Sequence, residues 1–239
     1  MQHPAAIIFD LDGTLTRPVL DFDAIAAEIG EVERPLLEGV SRLSGEARRR
    51  AEAILRRHEA AAAANSELQP GAAAVVRGFR QSGVLVALMT RNSRASAVTF
   101  VERHGLEFDF VRTREDGPIK PDPEPVRAIC AALGAPPRRT WVVGDYLFDI
   151  RSGRAAGATT VLLLNDPEPP DWAGEADHVI RGLAELPGLF ARAAAGSAGT
   201  AGGARGEWPG RPACARTGET PEPQESDGDA AARAARPRG

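Results

Sequence analysis

Five largely apolar runs, separated by stretches with helical periodicity, constrain the fold of this chain most. They occupy residues 5–9, 84–89, 108–111, 140–143 and 160–164. A run with so few polar residues has no face for water, so it fits a strand of a parallel sheet that is covered on both sides. Helical patterns follow at 72–81, 93–104, 125–133 and 149–156. The alternation predicts an α/β fold, a Rossmann-like parallel sheet sandwiched by helices.

Residues 17–68 interrupt the alternation, because they contain helical patterns and no strand pattern. The first pattern has Asp21 as a cap and Gly30 as a stop, and its apolar face is Phe22, Ile25, Ala26 and Ile29. The sequence therefore predicts a small all-helical module, residues 17–68, inserted into a core of residues 1–16 and 69–192. Residues 193–239 are mostly Gly, Ala, Pro, Arg and Glu, which predicts a disordered tail.

Composition narrows the classes of partner. A net charge of −4 and a pI near 5.7 provide no basic field for nucleic acid. The first apolar run is cut short by Asp10, so it fits neither a signal peptide nor a membrane span. Cys130 and Cys214 are the only cysteines, too few for a disulfide framework. We expect a cytoplasmic protein, monomeric or homodimeric, that binds small soluble molecules.

Polar residues stand where the predicted strands end. Asp10, Thr90, Asp145 and Asn165 each follow an apolar run. In open α/β sheets, ligands bind beyond the carboxyl ends of the strands. These side chains are therefore candidates for a shared site.

Two acidic pairs suggest what that site binds. Asp10 and Asp12 flank one residue, so an extended chain directs both carboxylates to the same side. Asp145 and Asp149 enclose a turn that leads into a helix. Each pair alone also fits a capped turn or a helix N-cap. Together they favour a Mg²⁺ site, because magnesium prefers oxygen ligands, and no His or Cys cluster is present for zinc.

Lys120 is the only lysine in a chain with 29 Lys plus Arg residues. It lies in a proline-rich loop, "GPIKPDPEP". An ammonium is a compact charge, whereas a guanidinium is a wide planar fork. A position that retains lysine when arginine is used everywhere else suggests a confined anionic pocket.

Four motifs, "DLDGTLT", "LMTRN", "IKPDP" and "VGDYLFDI", resemble in order and spacing the signatures of the haloacid dehalogenase (HAD) superfamily. The resemblance covers about residues 5–190. The helical insertion lies between the first two motifs and in this position resembles the small helical cap of the phosphoglycolate phosphatase-like branch. It looks shorter than a full cap of that type.

The resemblance implies a role for each motif residue. Asp10 would attack phosphorus and form an aspartyl-phosphate, and Asp12 would protonate the leaving alcohol and later activate water. Mg²⁺ would be held by Asp10, the backbone carbonyl of Asp12, and Asp145, with Asp149 in support. The phosphoryl group would be bound by Thr90 and Lys120, and the substrate would also be reached by Arg91 and Asn92.

Three functions remain open at this point. The first is a Mg²⁺-dependent phosphatase acting on a small-metabolite phosphomonoester. The second is a sugar-phosphate mutase that uses the same aspartyl-phosphate. The third is a non-catalytic module that binds or signals through a phospho-aspartate. An acid at position 12 favours phosphate esters over halides, because a halide leaves without a proton.

Overall fold

A six-stranded parallel sheet forms the centre of the computed structural model, which describes residues 4–196. The strands are β1 (Ala6–Phe9), β2 (Leu85–Met89), β3 (Phe110–Arg112), β4 (Thr140–Gly144), β5 (Thr159–Leu163) and β6 (His178–Ile180). Their order in the sheet is β3-β2-β1-β4-β5-β6, which confirms the predicted Rossmann-like α/β fold. In register, Ile7 of β1 lies beside Val86 of β2 and Trp141 of β4.

Helices cover both faces of the sheet, because successive strand side chains point in opposite directions. The helices are α1 (Phe22–Ile29), α2 (Leu36–Arg42), α3 (Gly45–Asn65), α4 (Ala72–Gln81), α5 (Arg94–His104), α6 (Glu124–Leu133), α7 (Leu147–Ala156) and α8 (Leu186–Gly196). Ile7 belongs to a buried cluster with Phe79 of α4 and Phe190 of α8. Ile8 belongs to the cluster on the opposite face, with Ile129 of α6.

Helices α1 to α3 form the helical insertion predicted at residues 17–68, and they bury an apolar cluster of their own. Its members are Ile25, Leu36, Val40, Ala51, Ile54 and Leu55. The Asp21 side chain caps α1, as predicted, by accepting hydrogen bonds from the N–H groups of Asp23 and Ala24. Phe22 was expected on the buried face of α1, and this was wrong, because it is 51% exposed.

The chain enters and leaves the insertion through a short antiparallel pairing. The Arg17 N–H donates to the Glu67 carbonyl at 2.9 Å, and the Gln69 N–H donates to the Leu15 carbonyl at 2.9 Å. The two connections therefore lie side by side. That residues 17–68 are a separate domain stays a prediction.

Two elements went unpredicted. Strand β6 has only three residues and begins with His178, so it offers too short an apolar run to be recognised in the sequence. Helix α8 extends to Gly196, past the predicted start of the tail at 193. The remainder of the predicted tail lies outside the described residues. Within the described part of the chain, no helix is both long and apolar enough to cross a membrane.

Candidate active site

The ends of three neighbouring strands bring the predicted site residues together. Asp10 follows β1, Thr90 follows β2 and Asp145 follows β4. The Asp10 N–H donates to the Val143 carbonyl at 2.9 Å, and the Thr90 N–H donates to the Arg112 carbonyl at 2.9 Å. Since β1 lies between β2 and β4, these residues occupy the point where the strand order reverses. This is the usual place for a ligand site in such a sheet.

An acidic cluster lies at this point, with Lys120 against it. One carboxylate oxygen from each of Asp10, Asp145 and Asp149 lies within 4.8 Å of the others. The Lys120 ammonium donates to Asp10, to Asp149 at 2.6 Å and to the Met89 carbonyl at 3.3 Å. Only 3% of Lys120 is exposed. The lone lysine of the sequence therefore bridges two carboxylates inside the protein.

The charges of this cluster do not balance. Burial raises the pKa of Asp145, and the charges of Asp10 and Asp149 raise it further. Burial also raises the pKa of Asp149, although Lys120 opposes the effect. Burial disfavours the charged form of Lys120, but the two carboxylates outweigh it and raise the lysine pKa. Three carboxylates and one ammonium leave excess negative charge, and the all-oxygen donor set fits a hard divalent cation such as Mg²⁺.

Two glycines make room for the acidic cluster. Gly13 has a φ of 79°, and a Cβ atom there would overlap the Asp145 carboxylate. A Cβ atom on Gly144 would overlap the Asp149 side chain. Both carboxylates therefore take the space that a side chain on the neighbouring loop would fill.

Side chains from three loops orient Asp145. The Thr14 hydroxyl donates to its Oδ1 at 3.3 Å, and the Asn165 amide donates to its Oδ2 at 3.0 Å. The same Asn165 amide donates to the Gly13 carbonyl at 2.9 Å, and Gln69 donates to the Asn165 side-chain oxygen at 2.8 Å. The sequence indicated Asn165 as a strand-end residue but gave no signal for Gln69, which follows the insertion.

Asp12 lies beside the cluster and has different partners. The Asn92 amide donates to its Oδ2 at 2.6 Å. Burial raises the Asp12 pKa to about 7, and the charge of Asp10 adds to the effect. The Thr90 hydroxyl accepts a hydrogen bond from the Asn92 N–H at 3.0 Å and keeps its own proton to donate. Asp12 can therefore hold or release a proton near neutral pH.

Arg91 connects the sheet to the insertion. Its guanidinium donates to both carboxylate oxygens of Glu38 in α2, at 2.7 and 2.8 Å. It also lies over the Phe148 ring, 4.6 Å from the centroid. The expected contact of Arg91 and Asn92 with substrate stays a prediction. Both side chains have hydrogen-bond partners within the protein.

Glu59 is a buried acid that the sequence interpretation missed. It lies on α3, where it is 3% exposed. Helical spacing puts it on the same face as Leu55, Ala62 and Ala63, which are buried. An acid on an apolar stripe was the available signal, but the arginines close to it in sequence are typical of a solvated helix face.

Comparison with known proteins yields one family. A family model described as haloacid dehalogenase-like hydrolase matches residues 4–157. An uncharacterised hydrolase of Saccharomyces cerevisiae is 35% identical over 173 residues, covering 69% of this chain and 79% of the relative. A plasmid-encoded phosphoglycolate phosphatase of Cupriavidus necator is 30% identical over 214 residues, covering 77% of this chain and 92% of the relative.

A solved structure supports the same fold. A hydrolase from Pseudomonas syringae superimposes with a TM-score of 0.66 at 23% identity, covering 77% of this chain and 97% of the other. At that identity the likeness concerns the fold alone. It agrees with the strand order and helical layers described above.

Proposed function

Because the chain belongs to the haloacid dehalogenase-like hydrolase family, we propose that it is a Mg²⁺-dependent phosphatase. Its substrate would be a phosphomonoester of a small metabolite, hydrolysed through an aspartyl-phosphate on Asp10. The observation that carries the proposal is the Lys120 ammonium, which bridges Asp10 and Asp149 beside Asp145. A buried cation against a carboxylate nucleophile suits a reaction in which phosphoryl oxygens approach that carboxylate.

The residues that would hold Mg²⁺ are Asp10, Asp145 and the backbone carbonyl of Asp12, with Asp149 in support. The close carboxylate oxygens and their unbalanced charge support this assignment. When bound, the ion would neutralise charge on the phosphoryl oxygens. Thr14 and Asn165 would keep Asp145 in a fixed orientation toward it.

The chain's own residues account for both halves of the reaction. Asp10 attacks phosphorus and forms a new O–P bond, while the bond from phosphorus to the alcohol oxygen breaks. Asp12 gives its proton to that oxygen, and the alcohol leaves. Asp12 then takes a proton from water, whose oxygen attacks phosphorus and frees Asp10 and inorganic phosphate. Lys120 and Thr90 bind the phosphoryl oxygens through both steps.

The relatives support the substrate class at a coarse level. The Cupriavidus necator relative is named for phosphoglycolate, a small phosphorylated acid. A cytoplasmic location and a monomeric or homodimeric state stay predictions from the sequence.

A phosphatase screen tests the proposal. Sugar phosphates, phosphoglycolate and nucleoside monophosphates are assayed for phosphate release with Mg²⁺ and then with EDTA. We expect release from at least one of them, its loss in EDTA, and its abolition in Asp10→Asn with the fold intact by circular dichroism. Release that continues in Asp10→Asn would remove the nucleophile assignment. Conversion of a sugar phosphate to its isomer without release would indicate a mutase instead.

A further inference from the structure

The loop after β2, residues 91–93, is held from outside by two residues that the proposed mechanism does not use, through their side chains and one backbone N–H. The Arg91 carbonyl accepts from the Arg114 guanidinium at 3.4 Å, and the Asn92 carbonyl accepts from the Arg114 N–H at 3.2 Å. The Ser93 N–H donates to the Glu59 carboxylate at 3.2 Å. Each residue of the loop therefore has one backbone group bound to Glu59 or Arg114.

Glu59 and Arg114 are also bound to each other. The Arg114 guanidinium donates to Glu59, and their side chains are 16% and 4% exposed. Loss of one member of a buried ion pair leaves the other charge without compensation, which disturbs the structure more than loss of a surface pair. The pair therefore acts as one unit that joins α3 of the insertion to the loop after β2.

The loop held in this way carries the partner of Asp12. The Asn92 amide donates to the Asp12 carboxylate at 2.6 Å, and Asn92 is 7% exposed. The position of the Asn92 side chain follows from the position of its backbone, which the pair fixes on both sides. A shift of this loop would therefore reach Asp12 through the Asn92 amide.

We propose that Glu59 and Arg114 are positioning residues for Asp12, so that the insertion sets how well the leaving alcohol is protonated. The inference rests on the proposed phosphatase function, in which Asp12 gives its proton to the alcohol oxygen as the bond to phosphorus breaks. Glu59 and Arg114 act through Asn92 and do not contact the reacting atoms. A well-placed acid matters only for an alcohol that leaves poorly as an anion.

The dependence on leaving group provides the test. kcat/KM reports the steps up to release of the alcohol, and it is measured for p-nitrophenyl phosphate and for the alkyl phosphate hydrolysed fastest in the screen. The p-nitrophenolate ion leaves without protonation, whereas an alkoxide does not. We expect Glu59→Gln and Arg114→Gln each to lower kcat/KM for the alkyl ester at least about tenfold more than for the aryl ester.

The ratio of the two values separates positioning from a loss of folded protein. A smaller folded fraction lowers both activities equally and leaves the ratio unchanged. Glu46→Gln is the matched control, because Glu46 is an exposed glutamate on the same helix. The double variant of Glu59 and Arg114 should be no worse than either single variant, since the pair acts as one unit.

The outcomes distinguish this inference from the function on which it rests. An active wild-type protein whose ratio is unchanged in both Glu59→Gln and Arg114→Gln would overturn the positioning role alone. A wild-type protein that hydrolyses neither ester with Mg²⁺ would overturn the phosphatase proposal, and the positioning role with it. A selective loss on the alkyl ester in either variant supports the inference.

Discussion

At the scale of single residues, the site depends on where a few charges are buried. Lys120 is the only ammonium side chain in the sequence and is 3% exposed between two carboxylates. Gly13 supplies the space that the Asp145 carboxylate occupies. A larger or flatter group at either position would move a carboxylate rather than merely weaken a contact.

Replacing Lys120 by arginine tests the need for a compact charge. We expect Lys120→Arg to lower kcat/KM at least about tenfold, because a planar guanidinium cannot bridge the same two carboxylates and a phosphoryl oxygen. Arg151→Lys is the control, an exchange in an exposed ion pair with Glu175. Phosphate release with Mg²⁺ gives both values. Near-normal activity of Lys120→Arg would mean that the shape of the cation is unimportant.

Replacing Gly13 by alanine tests the space that the proposed metal site requires. The new Cβ atom would displace Asp145, so we expect Mg²⁺ affinity to fall about 10–100-fold. The matched control is Gly83→Ala, because Gly83 has a similar φ of 82° but no atom within 4 Å of an added Cβ. Both variants carry the backbone strain, and only the first should lose the thermal stabilisation by Mg²⁺. Equal Mg²⁺ responses would contradict the role of Gly13.

The strand-end residues were predictable, whereas their supporting partners were not. Asp10, Thr90 and Asp145 each follow an apolar run, so local pattern and sheet topology together bring them to one edge. Glu59 and Gln69 acquire their roles from hydrogen-bond partners far away in sequence. Long-range pairing of this kind leaves little local signal.

At the scale of elements, the helical insertion is bound to the sheet by ion pairs at the active-site edge. Glu38 of α2 pairs with Arg91, and Glu59 of α3 pairs with Arg114. The existence of the insertion followed from the absence of strand patterns in residues 17–68. Its docking did not, because a glutamate in a helical pattern does not reveal which arginine it will pair with.

The Glu38 ion pair should affect substrate binding more than chemistry. We expect Glu38→Gln to raise KM several-fold with a smaller change in kcat. Arg91 would lose its ion pair with the insertion and would no longer be held in place for the substrate. Glu52→Gln is the control, since Glu52 pairs with Arg48 and Arg56 within α3. Steady-state kinetics on the best substrate of the screen measures both. A fall in kcat at constant KM would contradict this role.

At the scale of the whole molecule, the acidic cluster should couple stability to pH and to Mg²⁺. Burial raises the Asp12 pKa from 3.8 to about 7, and it also raises the Asp145 pKa. A folded protein without metal therefore holds protons that the unfolded chain releases over this range. Its stability from these groups is highest at low pH and falls as pH rises through the folded-state pKa values.

Mg²⁺ should reverse this loss, because it binds the deprotonated carboxylates. We expect the Tm difference between Mg²⁺ and EDTA to grow from pH 5 to pH 8. Each kcal/mol corresponds to about 2–4 °C for a chain of this size. Subtracting the Tm in EDTA from the Tm in Mg²⁺ at each pH removes the contribution of groups far from the site. His104 is one such group, and burial lowers its pKa. A difference that does not change with pH would contradict the coupling.

Trapping the phosphoenzyme tests the central claim, that Asp10 is the nucleophile in a Mg²⁺ site, most directly. The protein is mixed with its best substrate and quenched in acid within one turnover. It is then digested, and the masses of the peptides are measured by mass spectrometry. The account predicts one phosphoryl group on the peptide that contains Asp10, absent in EDTA and in Asp10→Asn. A phosphoryl group on a different residue, or undiminished phosphate release by Asp10→Asn, would contradict it.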